Sequence, residues 1–282
     1  MSNLNQANLE ALRQRLSAHP SHLSTILDGA VASFKATSNP LRFTNTANAL
    51  RELLRELFDS ISPDAKIVRC SWFTADTSSR TGVTRRHRTQ FAVYSGLDPE
   101  HFPTNFVSNI DGLADQIGNR VSELSAFTHV TVAVLAVPEE RAIAAFDSTI
   151  DLFLRLFAAI DSAREHLRDA LQVELQERLS DIFTSEFFDE LDILSTHTRP
   201  QEAEDVDVEI DDIGEETITF TGTGSVLCDL QYGSDGDCDR GDGVETSGSY
   251  PFTFSGEAQT TNPRNVTVEK DDVIVDTTSF YE

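Results

Sequence analysis

Ten residues, SRTGVTRRHR from Ser79 to Arg88, gather four arginines and a histidine in a chain whose formal net charge is -25. Planar guanidinium groups make paired, charge-assisted hydrogen bonds to phosphate oxygens, and several on one element can follow a nucleic-acid backbone. Arg80, Arg85, Arg86, His87 and Arg88 are therefore the candidate contacts for DNA or RNA. The competing reading is that these side chains pair with the chain's own carboxylates or with a protein partner. Salt weakens phosphate binding steeply, so a binder working in concentrated salt needs a patch this dense.

Four further groupings could carry chemistry. The loop GSDGDCDRGDG sets Asp235, Asp237, Asp239 and Asp242 within eight residues, a density of hard oxygen ligands that suits Mg²⁺ or Ca²⁺. Its D-x-D-x-D spacing is that of an EF-hand start, yet Arg240 stands where glycine is needed and Thr246 where the bidentate glutamate belongs. Asp64-Ala65-Lys66 is the D/E-x-K triplet of a metal-dependent nuclease, without a clearly placed acidic partner before it. Arg13 and His19 have the spacing of a helical ribonuclease pair, whereas Arg120 and His129 lie too far apart for it. His129 alone could hydrogen-bond a neighbouring element at a helix end. Cys70, Cys228 and Cys238 form no CxxC pair and read as reduced thiols.

Periodicity supplies the elements that must position these groups. Leu9, Leu12 and Leu16, then Leu23, Ile26, Leu27, Ala30, Val31 and Phe34, mark two amphipathic helices, a hairpin over 1–37. NTANALRELLRELF places Leu50, Leu53, Leu54, Leu57 and Phe58 on one helical face. KIVRCSWF and RTQFAVYSG, short and rich in β-branched or aromatic residues, predict a β-hairpin with the cationic cluster at its tip and on its second strand. Residues 107–127 return to helix, THVTVAVLAV predicts another strand, and 139–194 predict long helices. Beyond the Pro200 linker, ETITFTG, GSVLCDLQYGS, YPFTFSG, NVTVEK and DVIVDT are strand-like runs separated by turn residues. The expected fold is α+β: an α-rich domain with a small inserted sheet over 38–200, then an acidic antiparallel β-sandwich or barrel-like domain over 201–282.

Composition narrows the setting. Acids outnumber bases 47 to 22, and residues 201–282 alone carry a net charge of -18, which repels phosphate. Only Lys35, Lys66 and Lys270 are lysines. Dense carboxylates with few lysines suit a high-salt, haloarchaeal type of cytosol. The N-terminus lacks a cationic start followed by an apolar run, and no apolar stretch reaches membrane-spanning length, so a cytoplasmic protein without membrane contact is expected.

The blocks NPLRFTNTANALRELLRELF, CSWF, TGVTRRHRTQFAVYSGL and LSAFTHV resemble the N-terminal region of the predicted PIWI-associating nucleases of prokaryotic conflict systems. LQYGSDGDCDRGDG, SYPFTF and the terminal TTSFYE are similar to the β-domain that accompanies it. The resemblance covers roughly 38–135 and 205–282. It implies nuclease-like nucleic-acid processing in antiviral or antiplasmid defence, with DNA or RNA and other defence proteins as partners. It carries no catalytic residue across. The alternative is a non-catalytic adaptor that assembles a defence complex through its helices and its acidic β-domain. The sequence does not fix the oligomeric state.

Overall fold

The structure, a computed structural model, describes residues 4–281; residues 1–3 and Glu282, the last residue of the TTSFYE block, lie outside the described residues. The chain divides into two compact units, Met1–Ala163 and Arg164–Glu282, so residues 164–200 belong to the same unit as the acidic segment.

The first unit is helical. It comprises α1 (Gln6–Leu16), α2 (His22–Lys35), α3 (Arg42–Ile61), α4 (Asp64–Ile67), α5 (Arg85–Tyr94), α6 (Thr104–Thr128), α7 (Val132–Leu135) and the first part of α8 (Glu139–Ser185). The expected stripes form its core: Leu50, Leu53, Leu54, Leu57 and Phe58 of α3 are buried, as are Ile110, Leu113, Ala114, Ile117, Val121 and Leu124 of α6. α3 packs along both α2 and α6, and α5 rests on α6. Phe34 joins α2 to α8, its ring centroid 5.3 Å from that of Phe146.

Two sequence expectations are overturned here. No strand occurs in this unit among the described residues, so the inserted sheet is absent. RTQFAVYSG is helical because Thr84 caps it: its side chain accepts from the His87 N–H at 3.3 Å, while His87 Nδ1 accepts from the Thr84 N–H at 3.2 Å. KIVRCSWF supplies α4 and successive turns, and Ile67, Cys70, Val83 and Phe91 close into a small core against Trp72 and Phe73. THVTVAVLAV has no strand to pair with. Its main chain closes local bonds instead, forming α7 under a Thr131 cap and leaving Val130, Val132 and Leu135 exposed.

The second unit holds the rest of α8, α9 (Asp189–Asp192), β1 (His197–Ile213), β2 (Thr217–Tyr232), α10 (Asp235–Arg240), β3 (Val244–Gln259), β4 (Asn262–Thr267) and β5 (Val273–Val275). The class is α+β, but the sandwich or barrel is corrected to one antiparallel sheet of order β1-β2-β3-β4, with β5 on β3. The second layer is helix rather than sheet. Phe183 of α8 lies 4.9 Å, centroid to centroid, from Phe252 of β3, and Leu171, Leu175, Leu179 and Ile182 are buried beside it. Register shifts in β1 free main-chain groups that polar side chains of α8 then satisfy. Gln172 donates to the Val206 carbonyl at 2.8 Å, Gln176 to that of Ala203, and Ser180 accepts from the Ala203 N–H at 3.1 Å. No helix among the described residues is long and apolar enough to cross a membrane.

Candidate nucleic-acid interface

The cationic segment opens into a groove of about 1020 Å³ inside the first unit, and five arginines line it: Arg51 and Arg55 from α3, Arg85, Arg86 and Arg88 from α5. Ser78, Ser79, Thr84, Asn119 and Ser125 add neutral donors, and Asp115 and Glu52 add carboxylates. The groove wall begins at a helix N-terminus. Arg85, Arg86 and His87 occupy the first turn of α5 with no acidic residue among them. Cations at that end oppose the helix dipole, whereas an anion there is favoured by the dipole and the guanidinium groups together.

The arginines divide into two sets. Arg86 spans two carboxylates one turn apart on α6, Asp111 at 2.8 Å and Asp115 at 2.5 Å. Arg88 reaches Asp59 and Asp64 at 2.5 and 2.8 Å, and Arg55 binds Glu52, Glu56 and Asp59. Among the described residues, Arg51, Arg80 and Arg85 make no ion pair, and Arg80 and Arg85 are exposed. His87 turns inward: its ring meets Phe73 edge-on at 5.1 Å, and burial holds its pKa below the ordinary histidine value. Of the five residues singled out by sequence, Arg85, Arg86 and Arg88 therefore share the groove, Arg80 stands on the adjoining loop, and His87 is a capping residue. Arg51 and Arg55 were missed. Their four-residue spacing on α3 was the available signal, since it puts both on one helix face.

The other candidates are placed apart. Asp64 begins α4 and is held by Arg88, while Lys66 is exposed in the last turn of that helix. Arg13 is taken by Asp28 at 2.9 Å, and His19 packs on Phe157 with ring centroids 5.5 Å apart. His129 is exposed at the end of α6. In the aspartate loop, Asp237 accepts from the Ser234 hydroxyl and N–H and from Arg240, and these bonds, that of the Ser234 hydroxyl foremost, hold its carboxyl below the usual range. Asp235 accepts from Gln231 at 2.9 Å. Asp235, Asp237, Asp239 and Asp242 do not converge, and no group of three or more potential ligands among the described residues is arranged to hold a metal ion. Asp237 completes the cap of α10 with Ser234, and Asp242, beyond the helix, lies 3.7 Å from Arg240.

A family model described as predicted pPIWI-associating nuclease matches residues 13–153, and a second with the same description matches residues 160–281. No curated protein and no solved structure matches the chain.

Proposed function

The chain belongs to the predicted pPIWI-associating nuclease family, and from that premise we propose that it binds DNA or RNA through the arginine groove as a nuclease-like component of a prokaryotic defence system. One observation carries the reading: cations crowd the first turn of α5 beside a polar groove, and among the described residues Arg51 and Arg85 are not engaged in a close ion pair. A phosphate backbone supplies the missing anions, and each phosphate neutralised releases counterions and adds to the salt dependence of binding. Polar and cationic side chains dominate the groove, and Phe58, the one aromatic residue along it, is buried in the core, an arrangement suited to backbone contact rather than base stacking. High intracellular salt, as the acidic composition suggests, would make such a groove necessary.

A second reading, the non-catalytic adaptor, is favoured by the ion pairs that already occupy Arg55, Arg86 and Arg88. The deciding experiment incubates labelled single- and double-stranded DNA and RNA with the protein, in Mg²⁺, Mn²⁺ or chelator, and reads both binding and cleavage. Binding that Arg51→Ser with Arg85→Ser abolishes supports the groove. Cleavage in addition supports the nuclease, and neither event supports the adaptor.

A further inference from the structure

β3 is paired with β2 from Val244 to Gln259, yet its opposite edge is covered only in part. On that edge β4 pairs with residues from Glu257 to Gln259 and β5 with those from Phe252 to Phe254, and the Asp276 N–H donates to the Pro251 carbonyl at 2.8 Å. Among the described residues no strand pairs there with Val244 to Tyr250. Both main-chain groups of a strand residue point to the same side, and the side alternates along the chain. Pro251 fixes the phase, because it has no N–H and its carbonyl faces β5. Glu245, Ser247 and Ser249 therefore present N–H and C=O to the open edge, while their even-numbered neighbours bond β2.

The other border of the sheet is protected against pairing. β1 carries Pro200, three register shifts, Asp205 at a φ of 52° and a long acidic run. Such features keep sheet edges from joining other chains. The open part of β3 has none of them: its register with β2 is unbroken, Glu245 is its single charge, and Val244 is 60% exposed.

The geometry points to a second copy of this chain as the strand that completes β3. Two segments from Val244 to Tyr250 pair antiparallel about a two-fold axis through Ser247, so that two sheets become one. In this register Ser247 faces Ser247, and Glu245 of one copy faces Ser249 of the other. Each of these facing pairs exchanges two main-chain hydrogen bonds. The arrangement is self-complementary where it could have failed: no carboxylate opposes a carboxylate, and Val244 falls opposite Tyr250. The interface is small, and each copy has a formal net charge of -25, so association is concentration-dependent and strengthens as salt screens the repulsion.

Sedimentation equilibrium on the full chain tests this, at about 0.2 mM protein in about 2 M KCl, where long-range repulsion is screened. The wild type is expected to approach twice its 31.2 kDa mass, and Ser247→Pro, which removes an N–H directed away from β2, is expected to stay monomeric with an unchanged circular dichroism spectrum. Two further variants leave the main chain intact and keep the question decidable if the proline variant does not fold. Ser249→Glu sets a carboxylate against Glu245 of the other copy in both symmetric pairs, and Ser249→Arg sets an opposite charge there. At lower salt these should shift the dimer dissociation constant roughly two- to tenfold in opposite directions. A wild type that stays monomeric, a folded Ser247→Pro variant that still dimerises, or charge variants that shift together would overturn the two-fold β3 pairing. A monomer that instead binds an extended peptide on this edge would also refute self-pairing.

Discussion

The guanidinium of Arg88 lies 2.8 Å from the carboxylate of Asp64, a residue of the nuclease-like triplet Asp64-Ala65-Lys66. The same arginine also contacts Asp59, and its side chain is only 24% exposed. Arg88 thus works inside the fold, joining α5 to the ends of α3 and α4. Replacing it with serine leaves two carboxylates without this cation, and Arg88→Ser is expected to lose about 1–2 kcal/mol of stability in urea titration. Arg85→Ser, which removes an exposed and unpaired cation, should leave the urea midpoint unchanged and weaken nucleic-acid binding. The division of labour fails if Arg88→Ser keeps its midpoint while losing binding.

His87 makes α5 sensitive to acid. Its Nδ1 accepts the Thr84 N–H, a bond available only to the neutral ring, and burial, the main cause, lowers its pKa in the folded state. A histidine with a depressed folded pKa contributes stability that is full above the unfolded value of about 6.5 and is lost as pH falls through the folded value. Melting temperatures should therefore drop between neutral pH and pH 5. His87→Gln, whose amide can replace the ring in the capping box, should flatten part of that slope. His19, also held low by burial and by Arg15, contributes with the same sign, so His19→Gln is the control. Identical slopes for wild type and His87→Gln would remove the cap from this account.

Much of the helical core was legible because the α3 and α6 stripes repeat with the helical period, and a leucine face leaves few other ways to exclude water. The residues around Arg85 were misread because β-branched and aromatic content says little about where a cap begins a helix. The Thr84–His87 pair is a capping box with histidine in the place usual for glutamate or glutamine. The strand-like runs of β2 to β5 were legible, but β1 runs through Pro200 and the acidic residues where a linker was expected, and what covers the sheet was not legible. The partner of that face is α8, and helix-to-sheet packing leaves no local mark in the strands. For the groove, the cluster of like charges was visible in sequence, whereas the carboxylates that neutralise Arg86 and Arg88 come from 24 to 29 residues away.

Gly222 and Gly224 explain how the sheet keeps its buried face closed. On β2 they stand opposite Phe254 and Phe252 of β3, whose rings fold over the bare glycine positions. A Cβ at Gly222 would overlap both the Phe254 ring and the Asp207 carbonyl of β1. The ring can move, but the carbonyl belongs to the main chain of the neighbouring strand and cannot move without disturbing the β1–β2 ladder. Gly222→Ala is therefore expected to destabilise the sheet by about 1–3 kcal/mol, as overpacking does in a dense core. Adding Phe254→Leu should restore only part of the loss, because the clash with the Asp207 carbonyl remains. Thermal unfolding of the single and double variants checks both statements. A single variant as stable as wild type would refute the close approach, and full recovery in the double variant would leave the phenyl ring as the sole obstacle.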